Sequence, residues 1–168
     1  MNSTENHIGP PLGKMVGMER MKINASKEIV WQAISDSKVL HLWSPPVNNV
    51  TILSNGSETI GTARECHLTF GKKTGIFKEH RTVEISDKKI EYSIDSEKGI
   101  GIHKILKNTG FGLEIFPISQ NLVEIEFKFY HDTKGILGFL MNPMIKSQQN
   151  KDRHLALLSL KEYCENQT

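Results

Sequence analysis

Five polar side chains of this 168-residue chain occupy positions at which a β-strand pattern otherwise places apolar residues. Side chains at alternate positions of a strand share one face of the sheet. That alternation groups Glu79 and Arg81 with the apolar residues of one strand, and it does the same for Arg64 in the strand before it. Tyr92 and His131 take equivalent positions in two later strands. An acid, two arginines, a phenol and an imidazole are therefore predicted to face an apolar interior.

A buried charge is costly unless an opposite charge neutralises it, so Glu79 is predicted to pair with Arg64 or Arg81. In one interpretation, the polar groups orient the head of a small molecule in a deep apolar pocket, the usual form of a ligand site. In the other, they pair near the rim of the sheet and only specify the fold, or a β-bulge reverses the faces. In an enzyme, Glu79 or His131 would act as general acid or base, and an arginine would stabilise an enolate.

The same alternation predicts an apolar lining around these polar groups. In the strand of Glu79, it also turns Val83 and Ile85 inward. Apolar surface buried against a ligand contributes about 25 cal/mol per Å² to affinity. The complete set of predicted ligand-contacting residues is Arg64, Leu68, Phe70, Phe77, Glu79, Arg81, Tyr92, Phe111, Phe127, Phe129 and His131.

The remaining reactive residue types show no catalytic or metal-binding spacing. The 7 histidines lie singly, without an HxH or HExxH pattern, so neither a metal nor a cofactor is expected. The chain contains no GxSxG nucleophile elbow and no P-loop. Cys66 and Cys164 lie far apart and form no CxxC pair, which indicates buried free thiols. The pattern of residues identifies no catalytic group.

Two short helices are predicted after a first strand over about residues 15–23. Ser26 is a good N-cap, Glu28 suits the positive end of the helix dipole, and the following apolar residues repeat with helical spacing. A second short helix over about residues 37–43 ends before Pro45 and Pro46, because proline cannot continue a helix.

The rest of the chain predicts an antiparallel sheet followed by one long helix. Strand patterns broken by Gly, Asn and Ser turns run from Val47 to His131, and no connection is long enough for a parallel crossover helix. From Gly135 to about Glu165, apolar residues recur close to helical spacing, and Pro143 either marks the true start of this helix or kinks it. This order favours a curved sheet wrapped around a long helix, an architecture that encloses a cavity.

The composition is that of a globular protein without a dominant charge. The 21 Lys and Arg residues nearly balance 19 Asp and Glu residues, which leaves a net charge of +2. We therefore expect neither nucleic acid nor an anionic membrane as the main partner.

No apolar run approaches the ~18 residues of a membrane span, so stable membrane insertion is not expected. The N-terminus lacks the regions of a signal peptide, which favours a cytoplasmic location. Residues 1–13 predict a flexible leader, and residues 14–168 a single domain.

Several segments of the chain resemble the SRPBCC superfamily. Residues 23–36 are similar to its opening, commonly Asn-Ala-Pro followed by Val-Trp, with Ser26 in place of the proline. Gly61-Thr-Ala-Arg64 resembles the family's Gly-x-x-Arg strand. Lys78-Glu79 and the later Tyr92-Ser-Ile94 resemble its glutamate and its Tyr-Ser-Ile block. The similarity extends over about residues 15–165.

The resemblance implies an α+β helix-grip fold, in which two short helices and a long C-terminal helix pack on a seven-stranded antiparallel sheet around a cavity. Members include START domains, pollen-allergen-type binders, coenzyme-Q-binding proteins and polyketide cyclases. By position, Glu79 resembles an inward glutamate that contacts the ligand in some hormone receptors of the family.

Three functions remain open for this chain. The first is binding or transport of a small hydrophobic or amphipathic molecule such as a lipid, an isoprenoid or a polyketide. The second is a polyketide cyclase or dehydratase that uses the same cavity. The third is a regulatory protein-interaction module, which would have a filled interior and a large exposed apolar patch.

Overall fold

The computed structural model describes residues 8–168, so the first seven residues of the predicted leader lie outside the described part of the chain. Within it, one antiparallel sheet of seven strands has the order β1-β7-β6-β5-β4-β3-β2. The strands are β1 Met15–Ile23, β2 Val47–Ile52, β3 Ala63–Phe70, β4 Lys73–Ile85, β5 Lys89–Lys98, β6 Leu106–Ser119 and β7 Leu122–Thr133. The predicted α+β helix-grip architecture is confirmed.

Two short helices follow β1, as predicted. Helix α1, Lys27–Ser35, begins where the Ser26 side chain accepts a hydrogen bond from the backbone N–H of Ile29. A 3-10 turn, Ser37–Val39, leads into α2, Leu40–Trp43. The long C-terminal helix α3, Gly135–Glu165, contains Pro143 in its first half. The helix therefore starts ahead of Pro143. Because proline has no backbone N–H, one hydrogen bond of the helix is missing at this residue.

The two halves of α3 differ in burial. Ala156, Leu157, Leu160 and Cys164 in the second half are buried in the same core as α1, α2 and the concave face of the sheet. In the first half only Gly138 is buried, against the backbone of Ile105, where an added Cβ would lie 2.3 Å from the carbonyl oxygen. The C-terminal half therefore anchors the helix, and the N-terminal half is mostly exposed and rests on Ile105 and His131.

A β-bulge in β4 changes which side chains face the core. The pairing of β4 with β5 shifts between Arg81 and Val83. Beyond the shift, Glu84 pairs with the core residue Ile90, so Val83 and Ile85 face the outer side of the sheet. The prediction that these two residues point inward is therefore wrong. The alternation holds up to Arg81, which keeps Glu79 and Arg81 on the inner face.

The segment before β1 lies on the outer face of the sheet. The backbone N–H of Ile8 donates to the Thr82 carbonyl at 3.0 Å, and that of Gly13 donates to the Asn108 carbonyl at 2.8 Å. Within residues 8–168, no helix is both long enough and apolar enough to cross a membrane.

Candidate functional site

A buried ion pair lies at the centre of the concave face. Register places Arg64 of β3 opposite Glu79 of β4. The Nε and Nη2 atoms of Arg64 both lie 2.9 Å from Oε2 of Glu79, and both side chains are at most 5% exposed. The Arg64 guanidinium also stacks 3.8 Å from the centre of the Tyr92 ring. The pairing expected for Glu79 is therefore made with Arg64, while Arg81 finds other partners.

Arg81 is the centre of a second polar group. Its Nη2 donates to the Tyr92 hydroxyl at 2.8 Å and to the Ser35 carbonyl at 2.6 Å, which ties β4 to the end of α1. Its charge is balanced by Glu84 at 3.0 Å and Glu58 at 3.2 Å. Every nitrogen of this guanidinium has a partner within the protein, so the group is structurally satisfied.

Ser37 joins the two arginine groups. Its hydroxyl accepts a hydrogen bond from Arg64 Nη1 at 2.9 Å and donates one to Glu58, the acid that pairs with Arg81. The cluster therefore contains two arginines and several carboxylates in one connected network. Such a network is costly to break, because removal of one member leaves another buried without a partner.

The electrostatics of the cluster stabilise its charged forms and suppress thiol chemistry. Burial opposes the charged form of Arg64, but Tyr92 and Glu79 outweigh it and raise the arginine pKa. Burial likewise opposes the charge on Arg81, whose pKa is nevertheless raised by contacts with Tyr92 and Glu84. Burial strongly raises the pKa of the Cys66 thiol beside Glu79. Because the thiolate is the nucleophile, Cys66 is unreactive.

His131 lies at the other end of the concave face, against the first half of α3. Its Nε2–H donates to Oδ1 of Asn142 at 3.0 Å, and its Nδ1 accepts from Nε2 of Gln149 at 3.4 Å. Both contacts are those of a neutral imidazole with the proton on Nε2. Burial lowers the pKa of His131, although the bond to Asn142 partly opposes this. The ring is therefore neutral at physiological pH.

One turn further along α3, Arg153 is buried with much of its hydrogen-bonding capacity unused. The residue is 4% exposed, and its guanidinium lies 5.6 Å from the centre of the Phe129 ring. Nη2 donates to Asn150 at 2.7 Å, whereas Nε and Nη1 have no hydrogen-bond partner and Glu19 is 3.9 Å from Nε. Burial lowers the pKa of Arg153. This is the least well compensated charge of the interior.

Aromatic rings connect the two polar regions. Tyr92 stacks on Phe111 with 5.3 Å between the ring centroids. The rings of Phe111 and Phe127 are in edge contact at a centroid distance of 6.1 Å, and those of Phe127 and Phe129 at 4.9 Å. Buried Phe77 contacts Phe70 at 6.2 Å across the β3–β4 hairpin. The concave face is thus a continuous aromatic wall from Tyr92 to the neighbourhood of His131.

The structure brings all of the predicted ligand-contacting residues onto the concave face, with different exposure. Phe70, Phe111 and Phe129 are half-buried, whereas the other eight are buried. Two surface depressions, of about 360 and 390 Å³, lie outside the cluster of Arg64, Glu79 and Arg81. The first is lined by Pro10, Asp95 and Lys134 among others, and only Leu68 of the predicted residues lines the second.

Sequence reasoning did not find the partners that complete the site. Glu58 lies in the loop between β2 and β3, and Ser37 begins the 3-10 turn, so strand alternation assigns a face to neither. Asn142, Gln149 and Arg153 recur at spacings of seven and four, which indicates one face of α3. That spacing was the available signal, but a ligand-facing and a solvent-facing stretch of the helix would equally explain the polar residues 147–152. Within residues 8–168, no group of three or more His, Cys, Asp or Glu side chains could hold a metal ion.

The sequence and the fold were compared with known proteins. A family model described as polyketide cyclase/dehydrase and lipid transport matches residues 17–165. A START superfamily protein from Mycobacterium smegmatis superposes with a TM-score of 0.75 at 15% identity, covering 93% of this chain and 100% of its own. The Zhui aromatase/cyclase from Streptomyces sp. R1128 superposes with a TM-score of 0.74 at 13% identity, and the match covers 89% of this chain and 92% of that protein. No curated protein matches the sequence significantly. At these identities the structural likeness establishes the fold alone.

Proposed function

Because the chain belongs to the polyketide cyclase/dehydrase and lipid transport family, we propose that it binds or carries a small apolar or amphipathic molecule between the concave face of the sheet and α3. The class of ligand is that of lipids, isoprenoids and polyketides. The two free, buried thiols suit a reducing compartment, which supports the cytoplasm as the proposed location.

The half-buried aromatic wall is the observation that carries this proposal. Phe70, Phe111 and Phe129 lie on the inner face of the sheet, where a filled core would bury them fully. Large aromatic side chains bury roughly 150–250 Å² each when fully covered, so incomplete burial of three of them leaves a substantial apolar surface for a ligand.

The polar groups would set the orientation of the ligand. The contacts of Glu79 with Arg64 and Cys66 all converge on Oε2. The second oxygen, Oε1, is therefore the atom through which Glu79 would accept a hydrogen bond from a hydroxyl group of the ligand. His131 would border the other end of the ligand, beside Phe129.

A binding role accounts for these groups better than cyclase or dehydratase chemistry does. A general acid or base must be within reach of substrate and free to exchange a proton. Arg81 has protein partners on all its nitrogens, both ring nitrogens of His131 are engaged, and the Cys66 thiol has a raised pKa. We therefore propose binding as the function and take enzymatic turnover as an outcome to be tested.

A matched pair of phenylalanines on β6 allows a direct test. Phe111 faces the aromatic wall, whereas Phe116 faces outward beneath Arg20, and both are half-buried. With cis-parinaric acid as a fluorescent fatty-acid probe, we expect Phe111→Ser to weaken binding roughly tenfold or more, because a buried phenylalanine contributes about 1.5–3 kcal/mol. Phe116→Ser should leave the affinity unchanged.

Native mass spectrometry of the protein purified from its own host would complement this titration. A retained small molecule, lost in Phe111→Ser but kept in Phe116→Ser, would support the proposal and identify the ligand. Equal probe affinity in the two variants would contradict the proposed location. Turnover of an aromatic polyketide intermediate, abolished by His131→Ala, would establish an enzyme instead.

A further inference from the structure

The first half of α3 exposes an unusual amount of apolar surface. We call residues 135–146 the helix tip. Its exposed fractions are 80% for Ile136, 60% for Leu137, 70% for Phe139, 68% for Leu140 and 61% for Met144. Isolated exposed apolar residues are common, but a contiguous patch of this kind marks an interaction surface.

The exposed side chains form one broad face of the helix. Successive residues of an α-helix are rotated by about 100°, so the five exposed apolar residues of the helix tip lie within an arc of roughly 160°. The opposite side packs on the protein, through Gly138 against Ile105 and through Asn142 against His131. A helix with one broad apolar face suits the plane of a membrane interface, where that face enters the lipid.

Three segments around the helix tip are rich in lysine and contain no acid. Strand directions alternate in the antiparallel sheet, so the connections after β3, β5 and β7 lie at the same end of the molecule. Residues 66–78, 98–113 and 133–151 supply these connections with their flanks, and each segment contains three lysines but no Asp or Glu. The lysines nearest to the connections are Lys72, Lys73, Lys98, Lys104 and Lys134.

Contacts join these segments into one surface, and the acids beside them are occupied. The backbone N–H of Lys134 donates to the Ile105 carbonyl at 2.7 Å. Glu97, which precedes the second segment, accepts the backbone N–H groups of Ile100 and Gly101. Asp132, which precedes the third, accepts a hydrogen bond from Asn108 at 2.8 Å. Glu97 and Asp132 keep their charges, but the nine lysines of the three segments outnumber them, so this end of the molecule is basic although the net charge of the chain is only +2.

From these observations we infer that the helix tip and its surrounding lysines dock this end of the molecule onto an anionic membrane surface. The apolar side chains enter the boundary between head groups and acyl chains, and the lysines contact the anionic head groups. The helix lies at the interface and does not span the bilayer. The inference is independent of the proposed internal ligand, because vesicle binding does not require one.

Vesicle co-sedimentation with matched variants tests this inference. We expect the protein to bind phosphatidylcholine vesicles that contain roughly one third phosphatidylserine, and to dissociate as NaCl rises from about 0.05 to about 0.5 M. Phe139→Ser should weaken binding about tenfold or more, since a large apolar side chain leaves the lipid. Leu158→Ser, at a 44% exposed position in the other half of the same helix, should have no effect.

A lysine pair tests the charge. Lys104→Gln should weaken binding about fivefold, the contribution of one basic residue near an anionic surface. Lys38→Gln, which replaces an exposed lysine beside α2, should not weaken vesicle binding. Because all these positions are exposed, the fold should be retained, and circular dichroism can verify this. Equal binding to neutral vesicles, or no vesicle binding together with a dimer that Phe139→Ser dissociates, would overturn the inference. The second result would indicate a protein partner, here a second copy of the chain.

Discussion

Replacement of Arg64 by methionine would test whether the buried cluster is a unit whose charges depend on each other. Methionine has a similar length and keeps apolar contact with Tyr92, but it removes the positive charge. Glu79 would then be left at 4% exposure without its ion-pair partner. The hydrogen bond from Arg64 to Ser37, 2.9 Å in the native protein, would also be lost.

The expected loss of stability is large. Removal of one member of a buried ion pair costs about 3–5 kcal/mol, because the other charge stays buried without compensation. Folded domains of this size are stable by only about 5–15 kcal/mol. The Arg64→Met variant should therefore lose a substantial part of its free energy of unfolding, which equilibrium urea unfolding would measure through its midpoint.

The double variant Arg64→Met/Glu79→Leu separates the charge effect from packing. Since an apolar pair can replace a buried ion pair at little cost, the double variant should recover most of the stability that the single variant loses. Arg20→Met is the control, because the Arg20 side chain is 50% exposed and its buried partner Glu126 keeps a second ion pair with Lys128, so the loss should be about 1 kcal/mol or less. A loss below about 1 kcal/mol in Arg64→Met, or a double variant no more stable than the single one, would refute the reasoning.

Two further predictions concern buried side chains at the contact between α3 and the sheet. Arg153→Met should leave the free energy of unfolding unchanged or raise it, because Nε and Nη1 of this buried guanidinium have no hydrogen-bond partner; a loss above about 2 kcal/mol in urea unfolding would contradict this. Because burial lowers the pKa of His131, the unfolded state binds a proton more readily, and stability should fall as the pH is lowered from about 7 to about 5. His131→Gln should remove that part of the pH dependence, whereas His41→Gln, at an exposed position, should retain it.

The sequence by itself determined the order of elements and the inner face of most strands. Strand alternation is a local property with a period of two, so it placed Arg64, Glu79, Tyr92 and His131 on the concave face without knowledge of the fold. It failed for Val83 and Ile85, because one extra residue at the bulge after Arg81 reverses the faces and leaves no clear signal in the pattern. The helical period predicted α3, and the motif resemblance predicted the fold that the family match and the structure confirm.

Only the tertiary structure decided which charges meet and which surface stays open. The sequence alone allowed Glu79 to pair with either Arg64 or Arg81. The register between β3 and β4 places Arg64 opposite Glu79 and so selects this pair. The nearly balanced net charge of +2 argued against an anionic membrane partner. A net charge is a sum over the whole chain, however, and does not say where on the surface the charges lie. Antiparallel pairing gathers three acid-free, lysine-bearing segments at one end, and packing through Gly138 leaves the apolar tip of α3 exposed among them. Residues distant in sequence became neighbours there, which is the physical reason that no local pattern could predict this surface.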